Sequence, residues 1–256
     1  MPQQRYAVIL AAGKGTRMQS DLPKVAMTLH NRPMILHVLD QLLPLKLSKI
    51  AIVVGYRREV VEEIVNQWIN ENPTAPKIDF AVQQEQKGTA HAFLQAETTF
   101  SNQAGFVLVT AGDMPLLRSS SLETLFNEAA FDSVGAVLSA KLENPTGYGR
   151  MVRDSNKNLE RIIEEKDADE FTKKINEVNT GCYVFQIPEI FNILKRIDTN
   201  NNQNEYYLPD AIQLYRQNGN FFKCVPLDDY RESLGANTRD DLLSLEEIYK
   251  QMLNSL

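Results

Sequence analysis

Two glycines and three cations sit within fifteen residues, "LAAGKGTRMQSDLPK" at positions 10–24, directly after the apolar run "YAVIL". A strand that feeds a glycine-rich turn brings unpaired backbone N–H groups to the carboxyl edge of a sheet, and glycine allows positive φ and close approach. Lys14, Arg17 and Lys24 add positive charge at the same place. Together these features suit a phosphate-bearing ligand. The common fingerprints do not apply. Met18 stands where G-x-G-x-x-G needs its third glycine, and Gly13-Lys14 is followed by Gly15 rather than the Ser or Thr of a Walker loop. A glycine pair alone is equally compatible with a surface turn, and Lys14 with a solvated loop lysine. A second chemical signal is Asp113, just beyond the apolar stretch in "VLVTAGDMPL". A carboxylate at the end of a buried strand suits Mg²⁺, which takes one or two protein oxygens and completes its shell with phosphate and water.

Short apolar or β-branched runs alternate with segments of helical period: "YAVIL", a helix from Pro33, "IAIVV", a helix from about Glu59, "FAVQ", a helix from about Thr89, and "FVLVT". This order predicts an α/β fold with a mainly parallel, Rossmann-like sheet flanked by helices. In the first helix Met34, Ile35, Val38, Leu39, Leu42 and Leu43 form one apolar face. In the second, Val60, Val61, Ile64, Val65, Trp68 and Ile69 do the same, which makes Trp68 a core residue. After about Ala140 shorter strands follow, "GRMVRD", "LERIIEE" and "NTGCYVFQI", expected to build a smaller mixed-sheet lobe beside the first. The helical segment "YYLPDAIQLYRQNG", the strand "FFKCV" and an amphipathic helix from about Arg239 complete the chain.

Composition excludes several classes. The apolar runs are far shorter than the roughly 18 residues of a membrane span, and the first ten residues show no secretory pattern. Cys182 and Cys224 lack the spacing of a disulfide framework or zinc cluster, and His30, His37 and His91 have no mutual metal-binding spacing. The net charge is -6 with cations scattered, which argues against a nucleic-acid surface. A cytoplasmic enzyme with neither nucleic-acid nor membrane partners is expected.

Eight spaced motifs carry a resemblance. L-A-A-G-x-G-T-R-M with P-K, then "QQEQKGTAHA", "GDMPL", "NPTGYGR", "IIEEKDA", "EVNTG", "NNNQNEYYLPD" and "GANTR" occur in the order found in sugar-1-phosphate nucleotidyltransferases. Within that family the chain resembles the uridyltransferase domain of bacterial bifunctional N-acetylglucosamine-1-phosphate uridyltransferases. The resemblance implies a single GT-A-like nucleotidyltransferase domain over 1–256, with a nucleotide lobe at about 1–113, a sugar lobe at about 114–237 and a terminal helix at 238–256. No hexapeptide period of an acetyltransferase domain is seen, so a monomer or weak homodimer is expected.

The resemblance also implies roles. Leu10, Ala11, Ala12 and Gly13 with Gln83, Gly88 and Thr89 would hold the uracil and ribose of UTP. Gly15, Arg17 and Lys24 would surround the triphosphate, with Arg17 and Lys24 catalytic. Asp113 and Asn237 would hold Mg²⁺, and Gly112, Gly149, Glu164 and Asn179 would bind the sugar. Three positions depart from the family pattern: Ala111 for a tyrosine, Ala90 for a glycine and Met27 for a histidine. The implied reaction is Mg²⁺-dependent transfer of UMP from UTP to N-acetylglucosamine 1-phosphate. The Ala111 change leaves glucose 1-phosphate or another hexose 1-phosphate open as acceptor. A glycosyltransferase using the acidic "LDDY" at 227–230, and a non-catalytic UDP-sugar sensor, are the readings from other classes.

Overall fold

A computed structural model of the chain describes residues 3–18, 20–131 and 133–253. Gln19 of the opening loop and the last three residues of the expected terminal segment lie outside the described residues. The first half alternates as its periodicity predicts: β1 (Arg5–Ala11), a small β2 (Thr28–Leu29) and β3 (Arg32–Pro33) ribbon, α1 (Met34–Leu42), β4 (Lys49–Val54), α2 (Arg58–Glu71), β5 (Lys77–Val82), α3 (Thr89–Leu94) and β6 (Gly105–Ala111). Pro33 sits one residue before α1, as its N-cap, instead of in its first turn. The second half adds α4 (Ser119–Ala129), β7 (Gly135–Lys141), β8 (Arg150–Arg153), β9 (Leu159–Ile163), β10 (Glu177–Ile187), α5 (Glu189–Leu194), α6 (Asp210–Gln217), β11 (Lys223–Pro226) and α7 (Arg239–Leu253). The elements α4, β7 and α5 were not anticipated from periodicity.

The strand order is β11-β7-β10-β6-β1-β4-β5. β6, β1, β4 and β5 are parallel, whereas β10 runs antiparallel between β6 and β7. The β8–β9 hairpin joins this sheet through Val178 of β10. The expected lobe boundary near residue 113 therefore interrupts nothing in the sheet, because β6 pairs with β1 on one side and β10 on the other.

Those layers explain the unbroken apolar runs. Tyr6 and Val8 of β1 face a core that includes α3, α5 and α6, while Ala7, Ile9 and Ala11 face α1, α2 and α4. Trp68 is buried as expected, and its indole N–H donates to Asp40 Oδ1 at 2.8 Å. A third cluster docks α7 through Leu245 on Met18, Leu29, Met34 and Leu116, so the chain's last helix is tied to the segment after its first strand. Met27, one of the departures, packs at the margin of this cluster. Among the described residues no helix is long and apolar enough to cross a membrane.

The chain passes from β1 outward to β4 and β5 and then returns to β6 on the other side of β1. That reversal opens a crevice at the carboxyl ends of β1 and β6, the usual ligand position in open α/β sheets.

Candidate active site

The glycine-rich loop and two of its cations are assembled at this crevice. Gly112 N–H donates to Leu10 O at 3.0 Å, which joins the ends of β6 and β1. Leu10 and Ala11 still belong to the β1 ladder, opposite Val53 and Val54 of β4. Ala12 leaves it, and its carbonyl accepts from Tyr56 N–H and Gln86 Nε2, both at 3.3 Å. At Gly13 a Cβ would meet nothing, so the backbone faces open space. Gly15 has φ +63°, and a Cβ there would lie 2.8 Å from Lys24 Cβ. The missing side chain is what lets the Lys24 stem cross the loop. Lys14 is exposed and its ammonium lies over the Tyr56 ring.

Lys24 Nζ forms an ion pair with Asp113 and donates to Asn237 Oδ1 at 2.8 Å. Arg17 Nη2 donates to the same Asn237 oxygen at 3.3 Å. Four side chains from the start, middle and end of the sequence thus meet. Asn237 is held by the start of α7, where Asp241 Oδ2 accepts from Asn237 N–H at 2.8 Å and Thr238 N–H at 2.9 Å, while Thr238 Oγ1 accepts from Asp241 N–H. This reciprocal cap fixes the segment that carries the carboxamide. Gly235 makes room for it, since a Cβ there would sit 2.9 Å from Asp113 O. Asp113 and Asn237 supply one carboxylate and one carboxamide oxygen, a hard donor set that fits Mg²⁺ completed by phosphate and water. Among the described residues no group of three or more His, Cys, Asp or Glu forms an all-protein metal site.

Gln83 follows β5 at the same sheet edge and is 3% exposed. Its Nε2 lies 3.3 Å from Gly88 O and 3.0 Å from His91 Nδ1. Gly88 has φ +107°, and any Cβ would collide with Tyr206 O at 2.5 Å. Thr89 Oγ1 accepts from Leu208 N–H at 3.0 Å, so its hydroxyl holds the segment before α6. Ala90 is buried, its N–H donating to Tyr206 O at 2.9 Å.

The proposed sugar residues also come together. Asn179 N–H donates to Gly149 O at 2.8 Å, and a Cβ on Gly149 would approach Glu164 Oε1 at 3.1 Å. The β10–β7 register shifts between Asn179 and Tyr183, with Gly181 at φ +81° and its N–H bound to Asn179 Oδ1 at 3.0 Å. Such a bulge re-aims a side chain at the edge of a site. Gly112 lies apart from this group, against Val25 and Ile9 and tied to Leu10 at the end of β1.

Two acidic residues here were not singled out by the sequence reading. Burial first, and then the charges of Asp210 and Asp167, push the Glu164 carboxyl up to about 7. Burial and the charges of Asp198 and Asp167 raise Asp210 to about 6. Asp167 Oδ2 is buried and meets no donor among the described residues. The signal for Asp210 was present in "YYLPD", but nothing local links it to Glu164. Because the folded value of Glu164 lies above its ordinary 4.5, the carboxylate costs no stability at low pH. The penalty grows from pH 4.5 to about 7 and then levels at about 3 kcal/mol. Glu164→Gln is therefore expected to melt above the parent at about pH 8. That margin should shrink below about 1 kcal/mol near pH 5, as read from paired thermal melts.

The acidic "LDDY" segment has a structural occupation. Asp229 is paired with Arg231 and Arg118, at 2.7 and 3.0 Å, and caps the following helical turn. Its carboxylate is thereby turned to the protein's own cations.

Comparison with known proteins bears on the family and the fold. A nucleotidyl transferase family model matches residues 6–247. The bifunctional protein GlmU of Streptococcus sanguinis is 42% identical over 250 residues, covering 97% of this chain and 52% of that protein. The bifunctional protein GlmU of Oceanobacillus iheyensis is 41% identical over 251 residues, covering 98% and 53%. The chain thus spans about half the length of the curated relatives it matches. A crystal structure of UDP-glucose pyrophosphorylase complexed with UDP-glucose superposes with a TM-score of 0.78 at 17% identity, covering 97% of this chain and 99% of that one. At that identity the likeness speaks for the fold. A family match across nearly the whole chain, with the loop, the aspartate and the distal asparagine meeting at one sheet edge, makes this chain a member of the nucleotidyl transferase family.

Proposed function

We propose that the chain transfers UMP from UTP to N-acetylglucosamine 1-phosphate, giving UDP-N-acetylglucosamine and pyrophosphate. The observation that carries this reading is the convergence of Arg17, Lys24, Asp113 and Asn237 at the crevice between β1 and β6. Two anions must be brought together there, and two cations with an oxygen donor pair suit that task.

The sugar phosphate, with a second pKa near ~6, is already largely dianionic at neutral pH and needs no strong general base. Its oxygen attacks the α-phosphorus of UTP in line, a new P–O bond forms, and the bond to pyrophosphate breaks. Mg²⁺, held by Asp113 and Asn237, would supply charge neutralisation for the phosphates when bound. Lys24 offers a compact charge and Arg17 a planar fork to non-bridging oxygens. Ala12 and Gly13 backbone, Gln83 and Gly88 line the base end. Gly149, Glu164 and Asn179 offer donors and acceptors to sugar hydroxyls and the N-acetyl group.

Ala111, half-buried at the end of β6, favours a second reading in which glucose 1-phosphate or another hexose 1-phosphate is the acceptor, because no ring closes that side of the pocket. Pyrophosphate release from UTP and Mg²⁺ with a panel of hexose 1-phosphates tests both. Release with N-acetylglucosamine 1-phosphate above all others supports the first reading. Release with another sugar alone replaces it with the second, and no release with any sugar rejects uridylyl transfer.

A further inference from the structure

Arg150 is assigned no role above, yet each residue proposed to meet the sugar ring lies one position from it or from one of its strand partners. Gly149 precedes it in the chain. Ile163 of β9 and Val178 of β10 are its ladder partners, and Glu164 and Asn179 are the residues that follow them. The β8–β9 hairpin registers with β10 at this one pair. The Arg150 side chain is 2% exposed. A guanidinium leaves water at acceptable cost only where fixed acceptors meet its donors.

Those acceptors belong to the turn and the strand end that carry the site. Arg150 Nη1 donates to Tyr148 O, one residue before Gly149, and Nη2 donates to Glu165 Oε2 at 2.7 Å. The same Glu165 oxygen accepts from Gly147 N–H at 3.1 Å. Gly147 has φ +89°, a left-handed step that glycine takes without strain, and Glu165 fastens the turn there. A ring of bonds thus runs from the 147–149 turn to the end of β9 and back. Arg150 Nε meets no acceptor among the described residues, so the ring supplies the bonding of this buried charge. Although burial opposes it, the guanidinium and the Gly147 N–H hold the Glu165 carboxyl below its ordinary range. The same guanidinium draws the Glu164 carboxyl down, against burial and the charges of Asp210, Asp167 and Glu205.

We propose that Arg150 and Glu165 are positioning residues that hold the Gly149 turn and Glu164 at the spacing that receives the sugar, and so set affinity for the hexose 1-phosphate. The inference rests on the uridylyl-transfer reading, which puts the sugar in this lobe. Neither side chain bonds to Arg17, Lys24, Asp113 or Asn237, so the phosphate chemistry is left to those four.

The test measures KM and kcat for pyrophosphate release with UTP, Mg²⁺ and the parent's best hexose 1-phosphate, beside thermal melts. In Glu165→Ala the sugar-phosphate KM is expected to rise about tenfold or more, with KM for UTP and kcat within about twofold. Glu165→Asp keeps the counter-charge that helps the chain fold but withdraws its oxygens by one methylene, and should raise the same KM about threefold or more. Glu165→Gln keeps an acceptor for both donors. It should recover most of the affinity while melting lower, because the buried guanidinium then lacks its counter-charge. Arg150→Met should raise the sugar-phosphate KM as well, and Arg150→Met/Glu165→Ala no further than the larger single effect. A merely structural pair would lower the melting temperature and leave the KM of the folded enzyme at the parent value. A sugar-phosphate KM within about twofold of the parent in folded Glu165→Ala and Glu165→Asp, or an equal rise in both KM values, overturns this inference alone. A parent that releases no pyrophosphate with any hexose 1-phosphate overturns it together with the reading beneath it.

Discussion

Asp113→Ala is expected to lower kcat by about two orders of magnitude or more, near 2.7 kcal/mol of lost transition-state stabilisation. The carboxylate lies just beyond the end of β6, one residue after Gly112, whose N–H ties it to β1. It faces Lys24 and abuts the segment that carries Asn237. Removing it takes away the only anionic oxygen of the proposed Mg²⁺ seat and leaves an unpaired ammonium in its place. The expected kinetic signature is a large rise in the Mg²⁺ concentration that half-saturates pyrophosphate release. KM for the sugar phosphate should change little, because Glu164 and Asn179 belong to the other end of the crevice. Near-normal turnover with unaltered Mg²⁺ dependence would remove Asp113 from the metal-holding role.

Lys24→Ala is expected to cost a similar factor for the opposite reason. Its ammonium neutralises Asp113 and bonds to Asn237, and it is the better buried of the two cations, with a side chain 16% exposed. Where solvent is largely displaced, a fixed charge acts on developing negative charge with less screening than Arg17 has at the surface. The two variants should diverge in their metal behaviour. Without the competing ammonium, Asp113 is freer to hold a cation, so half-saturating Mg²⁺ should stay level or fall while kcat drops about 100-fold. A rise like that of Asp113→Ala would show that Lys24 acts by placing the carboxylate rather than on the phosphates. Lys24→Arg should not rescue fully, because a planar fork replaces the compact point charge that meets Asp113 and Asn237 together.

Much of the chemistry is legible in the sequence because it depends on residue type at short spacing. The Gly13–Gly15 turn, the apolar strand ahead of it and the aspartate after "VLVTAG" are local patterns, and a parallel strand buried on both faces reads as an unbroken apolar run. The helical faces of α1 and α2 were equally plain, down to Trp68 as a core residue. In contrast, β7 leaves little trace along the chain, because "GAVLSAK" carries glycine, alanine and serine, weak strand signals on their own. It is a strand because β10 and β11 pair with it on either edge.

The residue set, its order and the family resemblance were thus determined by sequence alone, since turn chemistry and apolar period act within a few residues. The tertiary structure decided how those pieces meet. It placed β10 antiparallel in the middle of the sheet and brought Asn237 to the loop at Arg17 and Lys24. It also brought Glu164, Asp167 and Asp210 within electrostatic reach of one another, and set the Gln83 amide against His91. Each of these depends on contacts between distant segments, where strand pairing, desolvation and hydrogen-bond direction are properties of the packed chain and leave no periodic trace along it.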